Sequence, residues 1–281
     1  MKLQYLGTAA AEGLPALFCD CDICREAARR GGKDLRMRSG ALVNDRLLID
    51  LNPDTYAATL RFGLSLCGVR NAIITHAHGD HFQRELMSAF TPVGAHIPKE
   101  SDHFHLWGSA FTANVWEEYM TTMHMAESVL TKYVEFHVLK PYDTVEIEGI
   151  RVTALEARHS CQGSFLYVLE QGASRFFYGN DTGLLGEETW DWIARQKEHP
   201  FSAVSLDSTM GFPPNDYYGH MSLDQNIETK KRMIALQAAD EHTRFICQHF
   251  SHNGLTLQKE TEERMHPHGF LVAYDGLTLE V

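Results

Sequence analysis

No uninterrupted apolar run approaches 18 residues, which argues against a membrane-spanning helix, and no basic-then-apolar leader opens the chain, since Met1-Lys2-Leu3-Gln4-Tyr5 reads as an ordinary strand. A soluble, cytoplasmic protein without a membrane partner is expected. Basic residues are scarce: 25 Lys and Arg face 37 Asp and Glu, a formal charge of −12. Clustered cations are what grip a phosphate backbone, so the balance argues against nucleic acid as the main partner and leaves room for a small anionic substrate beside bound metal. Repeats, low-complexity linkers and composition breaks are also missing. With 281 residues and 44% hydrophobic content, one domain over 1–281 with a large core is the expectation.

Histidine, by contrast, is plentiful and unevenly placed. Ile73-Ile74-Thr75-His76-Ala77-His78-Gly79-Asp80-His81 packs four metal-ligating side chains into six residues behind a short run of β-formers. His76 and His78, two apart, leave a strand with both rings facing one way, while Asp80 and His81 follow in the turn and face a second position. Two cations can share such a loop. Imidazole and carboxylate suit zinc, manganese or iron, and a metal pair roughly 3.5–4 Å apart can clamp both oxygens of a phosphoryl displacement. The alternative, a His-rich surface loop, leaves unexplained why a hydrophobic strand leads in and why ligand types recur downstream.

Phe18-Cys19-Asp20-Cys21-Asp22-Ile23-Cys24 holds three of the six cysteines. Without a secretory signal, clustered thiols mark metal more often than disulfide; three thiolates fill three corners of a tetrahedral zinc site and need a fourth ligand from elsewhere. Reduced, partly buried thiols in a loop are the alternative. Arg25 to Gly32 reads as a short basic helix with a solvated face, and Ala41 to Asp50 as a hairpin turning at Asn44-Asp45. Asp50 ends that hairpin either as a partner for a ligating His or as a plain turn residue. Asn52 and Pro53 open a helix with Tyr56, Leu60 and Leu64 on one side.

Three later strand ends deliver ligand types. His159 follows the strand that leaves a hairpin at Glu148-Gly149. Asp181 ends an aromatic strand, where its two oxygens suit a bridge between cations, with a turn-capping Asp as the alternative. His249 and His252, three apart beyond a strand, could serve two neighbouring sites. Phe201 to Leu206 is a further strand, ending in Asp207-Ser208-Thr209. His220 precedes a helix opened by a Ser222/Gln225 capping box and is either a general acid or a group that orients substrate. His266 and His268 read as surface residues, and Phe270 to Val281 as a hairpin turning at Asp275-Gly276.

Residues 95–140 fit least well. His103, His105, Trp107, Phe111, Trp116, Tyr119, Met120, Met123, His124 and Met125 are mixed there, with helical periodicity strongest from Asn114 to Tyr133. A core helix, or a lid or subunit contact that allows a homodimer, are the two readings, and none of these histidines is assigned to metal.

In order and type, the set His76/His78/Asp80/His81, His159, Asp181, His249 resembles the HxHxDH signature and downstream ligands of the metallo-β-lactamase superfamily. That resemblance implies an α/β fold, an αββα sandwich of two mixed sheets with metals at one edge. It implies one cation on His76, His78, His159 and Asp181, and a second on Asp80, His81, His249 and Asp181. It further marks residues 95–140 as an insertion. More narrowly, the chain resembles the phosphoribosyl cyclic phosphate phosphodiesterases of phosphonate degradation, relatives of ribonuclease Z. In that branch a C-x-C-x-x-C is completed by a late histidine; here this implies a structural zinc on Cys19, Cys21, Cys24 and His252, with His220 as the acid and Asp80 beside it in the catalytic set.

Four functions compete. Phosphodiester hydrolysis of a small, cyclic substrate by two zinc or manganese ions, or iron, leads. Thioester or lactone hydrolysis on the same fold is second, and substrate preference separates the two. Ribonuclease Z-like cutting of pre-tRNA lacks a long basic arm, and metal counting would identify a non-catalytic zinc carrier.

Overall fold

The computed structural model describes residues 1–92, 94–96, 103–122 and 132–281. In chain order its strands and α-helices are β1 (Lys2–Gly7), α1 (Asp22–Arg30), β2 (Gly40–Val43), β3 (Leu47–Ile49), α2 (Thr55–Phe62), β4 (Asn71–Ile73), β5 (Phe104–Ser109), α3 (Ala110–Thr122), β6 (Val134–Leu139), β7 (Thr144–Ile147), β8 (Ile150–Glu156), β9 (Phe165–Gln171), β10 (Ser174–Gly179), α4 (Glu187–Ala194), β11 (Ala203–Asp207), α5 (Leu223–Ala235), β12 (Arg244–Gln248), α6 (Gln258–Met265), β13 (Phe270–Val272) and β14 (Thr278–Glu280). Two sheets form, ordered β14-β1-β2-β3-β4-β5-β6 and β13-β12-β11-β10-β9-β8-β7, each mixing parallel and antiparallel pairs.

Alternation along the strands sorts side chains into layers. Leu3, Tyr5, Val43, Ile49 and Ile73 of the first sheet meet Val152, Tyr167, Phe176 and Tyr178 of the second. The outward residues Leu42, Leu48 and Leu106 pack beneath Ala58 of α2 and Trp116 and Met120 of α3. On the other side Leu166, Phe177 and Val204 pack under Trp190 of α4, Ile227 of α5 and Met265 of α6. This is the αββα sandwich. Burying each such large side chain is worth roughly 1.5–3 kcal/mol, which holds the strand ends rigidly in place. The Asn44-Asp45 and Glu148-Gly149 turns form as the sequence requires, all four residues at positive φ.

One expectation, the C-terminal hairpin, needs correction, and the structure fills in others. Within residues 95–140, read as an insertion, lie two strands of the first sheet, β5 and β6. Among the described residues the helix there covers Ala110–Thr122, with Trp116 and Met120 buried; Met123, His124 and Met125 lie outside the described residues. The last two strands are not a hairpin: β13 lies parallel to β12 in the second sheet, while β14 pairs with β1 in the first, the chain crossing between sheets at Asp275-Gly276. The Tyr56 and Leu60 side of α2 also points outward, 67% and 68% exposed, whereas Thr55 and Ala58 face the core.

Candidate metal centre

Every centre-forming side chain sits just past the carboxyl end of a strand. β3 delivers Asp50, β4 delivers His76 to His81, β8 delivers His159, β10 delivers Asp181, and β12 delivers His249, while β11 ends on Asp207. Asp50, Asp181 and His249 adopt positive φ (66°, 50° and 65°), which turns the backbone sharply off each strand. Such left-handed residues are tolerated by Asp and His and concentrate at functional sites. Gly183 permits a further close approach: a Cβ there would stand 1.9 Å from the Tyr218 carbonyl oxygen, so only glycine lets the loop bearing His220 close over Asp181.

The first cluster is three imidazoles. His76 Nε2 lies 3.0 Å from His78 Nδ1, and His159 Nε2 lies 3.3 Å from that same Nδ1. Ligands about 2.0–2.1 Å from a tetrahedral metal stand about 3.3 Å apart, so this spacing fits a shared cation. The second cluster is His81 Nε2 at 3.1 Å from Asp80 Oδ2 and 3.1 Å from Asp181 Oδ2, with His249 Nε2 3.0 Å from Asp181 Oδ2. His81 Nε2, Asp181 Oδ2 and His249 Nε2 are nevertheless buried without a hydrogen-bond partner. Buried polar atoms left this way are costly, and three converging on one point fit a cation.

The outward ring nitrogens of His76, His81, His159 and His249 are held by hydrogen bonds. His81 Nδ1–H donates to Asp50 Oδ2 at 2.7 Å. Thr75 Oγ1 donates to Asp50 and accepts from His76 Nδ1 at 3.1 Å. Thr209 Oγ1 donates to the His249 carbonyl and accepts from His249 Nδ1 at 2.7 Å, while His159 Nδ1 donates to the Gly219 carbonyl at 3.2 Å. Each bond fixes a tautomer that presents a bare Nε2 to the centre. Burial also pushes the His76 and His159 pKa values down, which favours the neutral ring that a cation requires. His81 goes the other way: against burial, the charges of Asp181, Asp80 and Asp50 hold its pKa well above that of a free imidazole. A divalent cation would satisfy those carboxylates in place of the proton.

Asp207 is the functional residue that sequence reasoning missed. Its Oδ2 accepts from His220 Nδ1 at 2.7 Å, and its Oδ1 accepts from the Thr209 and Met221 backbone N–H groups. Asp50, left open between two roles, proves to be the anchor of His81. Asp50→Asn is therefore expected to weaken cation binding at the His81 side about 10–100-fold, read by competition with a chelator. Unchanged affinity would remove Asp50 from the orienting role.

At the start of α1 a second kind of cluster forms. Cys19 and Cys21 Sγ lie 3.4 and 3.5 Å from His252 Nδ1, and Cys24 completes a group whose ligand atoms are all within 4.8 Å of one another. Around zinc, a sulfur at about 2.3 Å and a nitrogen at about 2.0–2.1 Å stand about 3.6 Å apart, close to these distances. The Cys24 backbone N–H and His252 pull the Cys21 thiol down to about 6, and burial pushes Cys24 up to about 12, a cost that a cation would offset.

Residues 45–250 match the family described as the beta-lactamase superfamily domain. Among solved structures, a diphosphatase of the PhnP family superposes with a TM-score of 0.75 at 21% identity, covering 100% of this chain and 97% of that one. Zinc-bound PqqB from Methylobacterium extorquens gives 0.76 at 19% identity, covering both chains completely. The short form of human tRNase Z gives 0.65 at 17% identity, over 100% and 99% of the two chains. At these identities the likeness is one of fold. An octanoyltransferase of Porphyromonas gingivalis (strain ATCC BAA-308 / W83) is 32% identical over 85 residues, 29% of this chain, and the match spans only 16% of that relative's length.

Proposed function

The chain belongs to the beta-lactamase superfamily of metal-dependent hydrolases, and on that premise we propose that it cleaves a small anionic phosphodiester. His76, His78, His159 and Asp181 would hold one divalent cation, and Asp80, His81, His249 and Asp181 a second, with zinc, manganese and iron all suited to these donors. Cys19, Cys21, Cys24 and His252 would hold a structural zinc. Bound cations supply an activated water and a Lewis acid for the phosphoryl oxygens.

What carries the reading to phosphodiesters is the pair His220–Asp207. Burial lowers the His220 pKa, but the charge of Asp207 and its 2.7 Å hydrogen bond raise it more, to about 9. The ring thus keeps its proton through neutral pH, with Nδ1–H held by Asp207 and Nε2–H left to donate. A departing alkoxide needs such a proton. Tyr217, its ring 5.8 Å from that of His220, and Tyr218 are partly exposed and would wall the organic part of the ester. The −12 charge favours a small substrate over pre-tRNA.

The test compares leaving groups. His220→Ala should slow an alkyl phosphodiester about 10²-fold and bis(p-nitrophenyl) phosphate hardly at all, because p-nitrophenolate leaves without a proton. Equal losses on both would make His220 a positioning residue, and loss of metal would make it a ligand.

A second reading, acyl thioester or lactone hydrolysis, is favoured by the octanoyltransferase likeness. Against it stands the apolar cavity of about 460 Å³ lined by Leu51, Leu64, Leu66, Met87 and Phe90, since none of the metal-directed side chains lines that cavity. Faster turnover of an octanoyl thioester than of any phosphodiester would establish this second reading.

A further inference from the structure

We propose that His105, Glu135 and His137 form a further transition-metal site, on the outermost strand pair of the first sheet. None of the three belongs to the clusters described above. In the register of β5 with β6, His105 is opposite Glu135 and Trp107 is opposite His137, which puts all four side chains on one face.

Their ligand atoms converge. His105 Nδ1 lies 2.9 Å from His137 Nε2, and Glu135 Oε2 lies 3.6 Å from the first and 3.8 Å from the second. A ring-to-ring hydrogen bond would account for the first distance alone. It gives no reason for one carboxylate oxygen to approach the same two nitrogens. A triangle with these three sides has a circumscribed radius of about 2.0 Å, which matches the usual lengths of zinc–nitrogen and zinc–carboxylate bonds, about 2.0–2.2 Å. An ion at or just above its centre would keep a position open to water.

The surroundings hold this geometry. The Trp107 ring stacks on His137 at 4.0 Å and 18°, its Nε1 donates to Asn71 Oδ1 at 3.0 Å, and Asn71 Nδ2 donates to Glu148 at 3.0 Å. A ring fixed by neighbours that are themselves fixed is how proteins prepare a ligand. Burial and the adjacent His137 lower the His105 pKa, which favours the neutral ring. The three side chains are 33%, 56% and 27% exposed in sequence order, so an ion enters without the fold opening. Two imidazoles and one carboxylate select zinc, nickel or copper over magnesium or calcium. Because β6 is paired on one side only among the described residues, a bound ion would clip that strand to its neighbour.

The test uses protein already carrying its tightly held metals, dialysed against Zn²⁺ alone. The unsubstituted protein should take up one equivalent beyond the tight set. His105→Gln and Glu135→Gln should each lose that equivalent while keeping the tight metals and the hydrolytic rate, which also shows that both variants are folded. Uptake equal in all three proteins, or no additional equivalent in the unsubstituted one, overturns the site. Neither outcome touches the hydrolase reading, which rests on the tight set.

Discussion

Asp181→Asn is expected to lower hydrolysis at least about 10³-fold and to leave the centre short of a cation. Asp181 Oδ2 stands 3.0 and 3.1 Å from the Nε2 atoms of His249 and His81, buried and with no hydrogen bond to satisfy it. Although burial disfavours its charge, His249 and His81 hold its pKa well below the ordinary carboxylate value, so it is an anion at any working pH. An amide has one acceptor oxygen instead of two and brings N–H groups that repel a cation. Cation stabilisation of a developing phosphoryl charge is worth several kcal/mol, and losing about 4 kcal/mol slows a reaction about 10³-fold. Metal content and the rate on bis(p-nitrophenyl) phosphate measure both parts. A variant within tenfold of the parent, with two cations at the centre, would show that Asp181 does not bridge.

Cys21→Ser should remove the zinc at the start of α1 and lower the melting temperature by about 10 °C, leaving the active-site metals in place. The cluster joins residues 233 positions apart in sequence, Cys19 and His252. In zinc-finger peptides such a site contributes about 10–16 kcal/mol of folding energy; here the sandwich has its own core, so about 3 kcal/mol is expected, and each kcal/mol moves the midpoint of a chain this size by about 2–4 °C. Thermal melts paired with metal analysis decide it. Unchanged zinc and an unchanged midpoint would break the four-ligand assignment.

The centre was legible wherever a strand and its ligand are neighbours in sequence. His76 to His81, His159, Asp181 and His249 each follow a hydrophobic run, so periodicity alone placed them at strand ends. Asp207 ends its strand in the same way, but an acid followed by Ser-Thr looks like any turn. Its role exists only because a loop thirteen residues later brings His220 against it. The two strands of 95–140 were hidden for another reason. Their inner face carries His105, Trp107, Glu135 and His137, so the alternation of apolar and polar residues does not mark a buried sheet. The Asp275-Gly276 turn is a true local signal, yet which sheet each flanking strand joins is decided by partners 25 residues away for β13 and 274 to 278 residues away for β14.

That the donors come from both sheets has a consequence for how the molecule is made. His78 in the first half and His159 in the second meet across 81 residues, so neither half of the chain can assemble the set by itself. Contacts of such long range form late, after the loop-closure entropy has been met. A cation therefore distinguishes molecules in which the two sheets have docked from half-folded ones, and at a hundred times its dissociation constant it shifts that equilibrium by about 2.7 kcal/mol. Metal supply during synthesis would then set how much chain escapes aggregation, before any substrate is turned over.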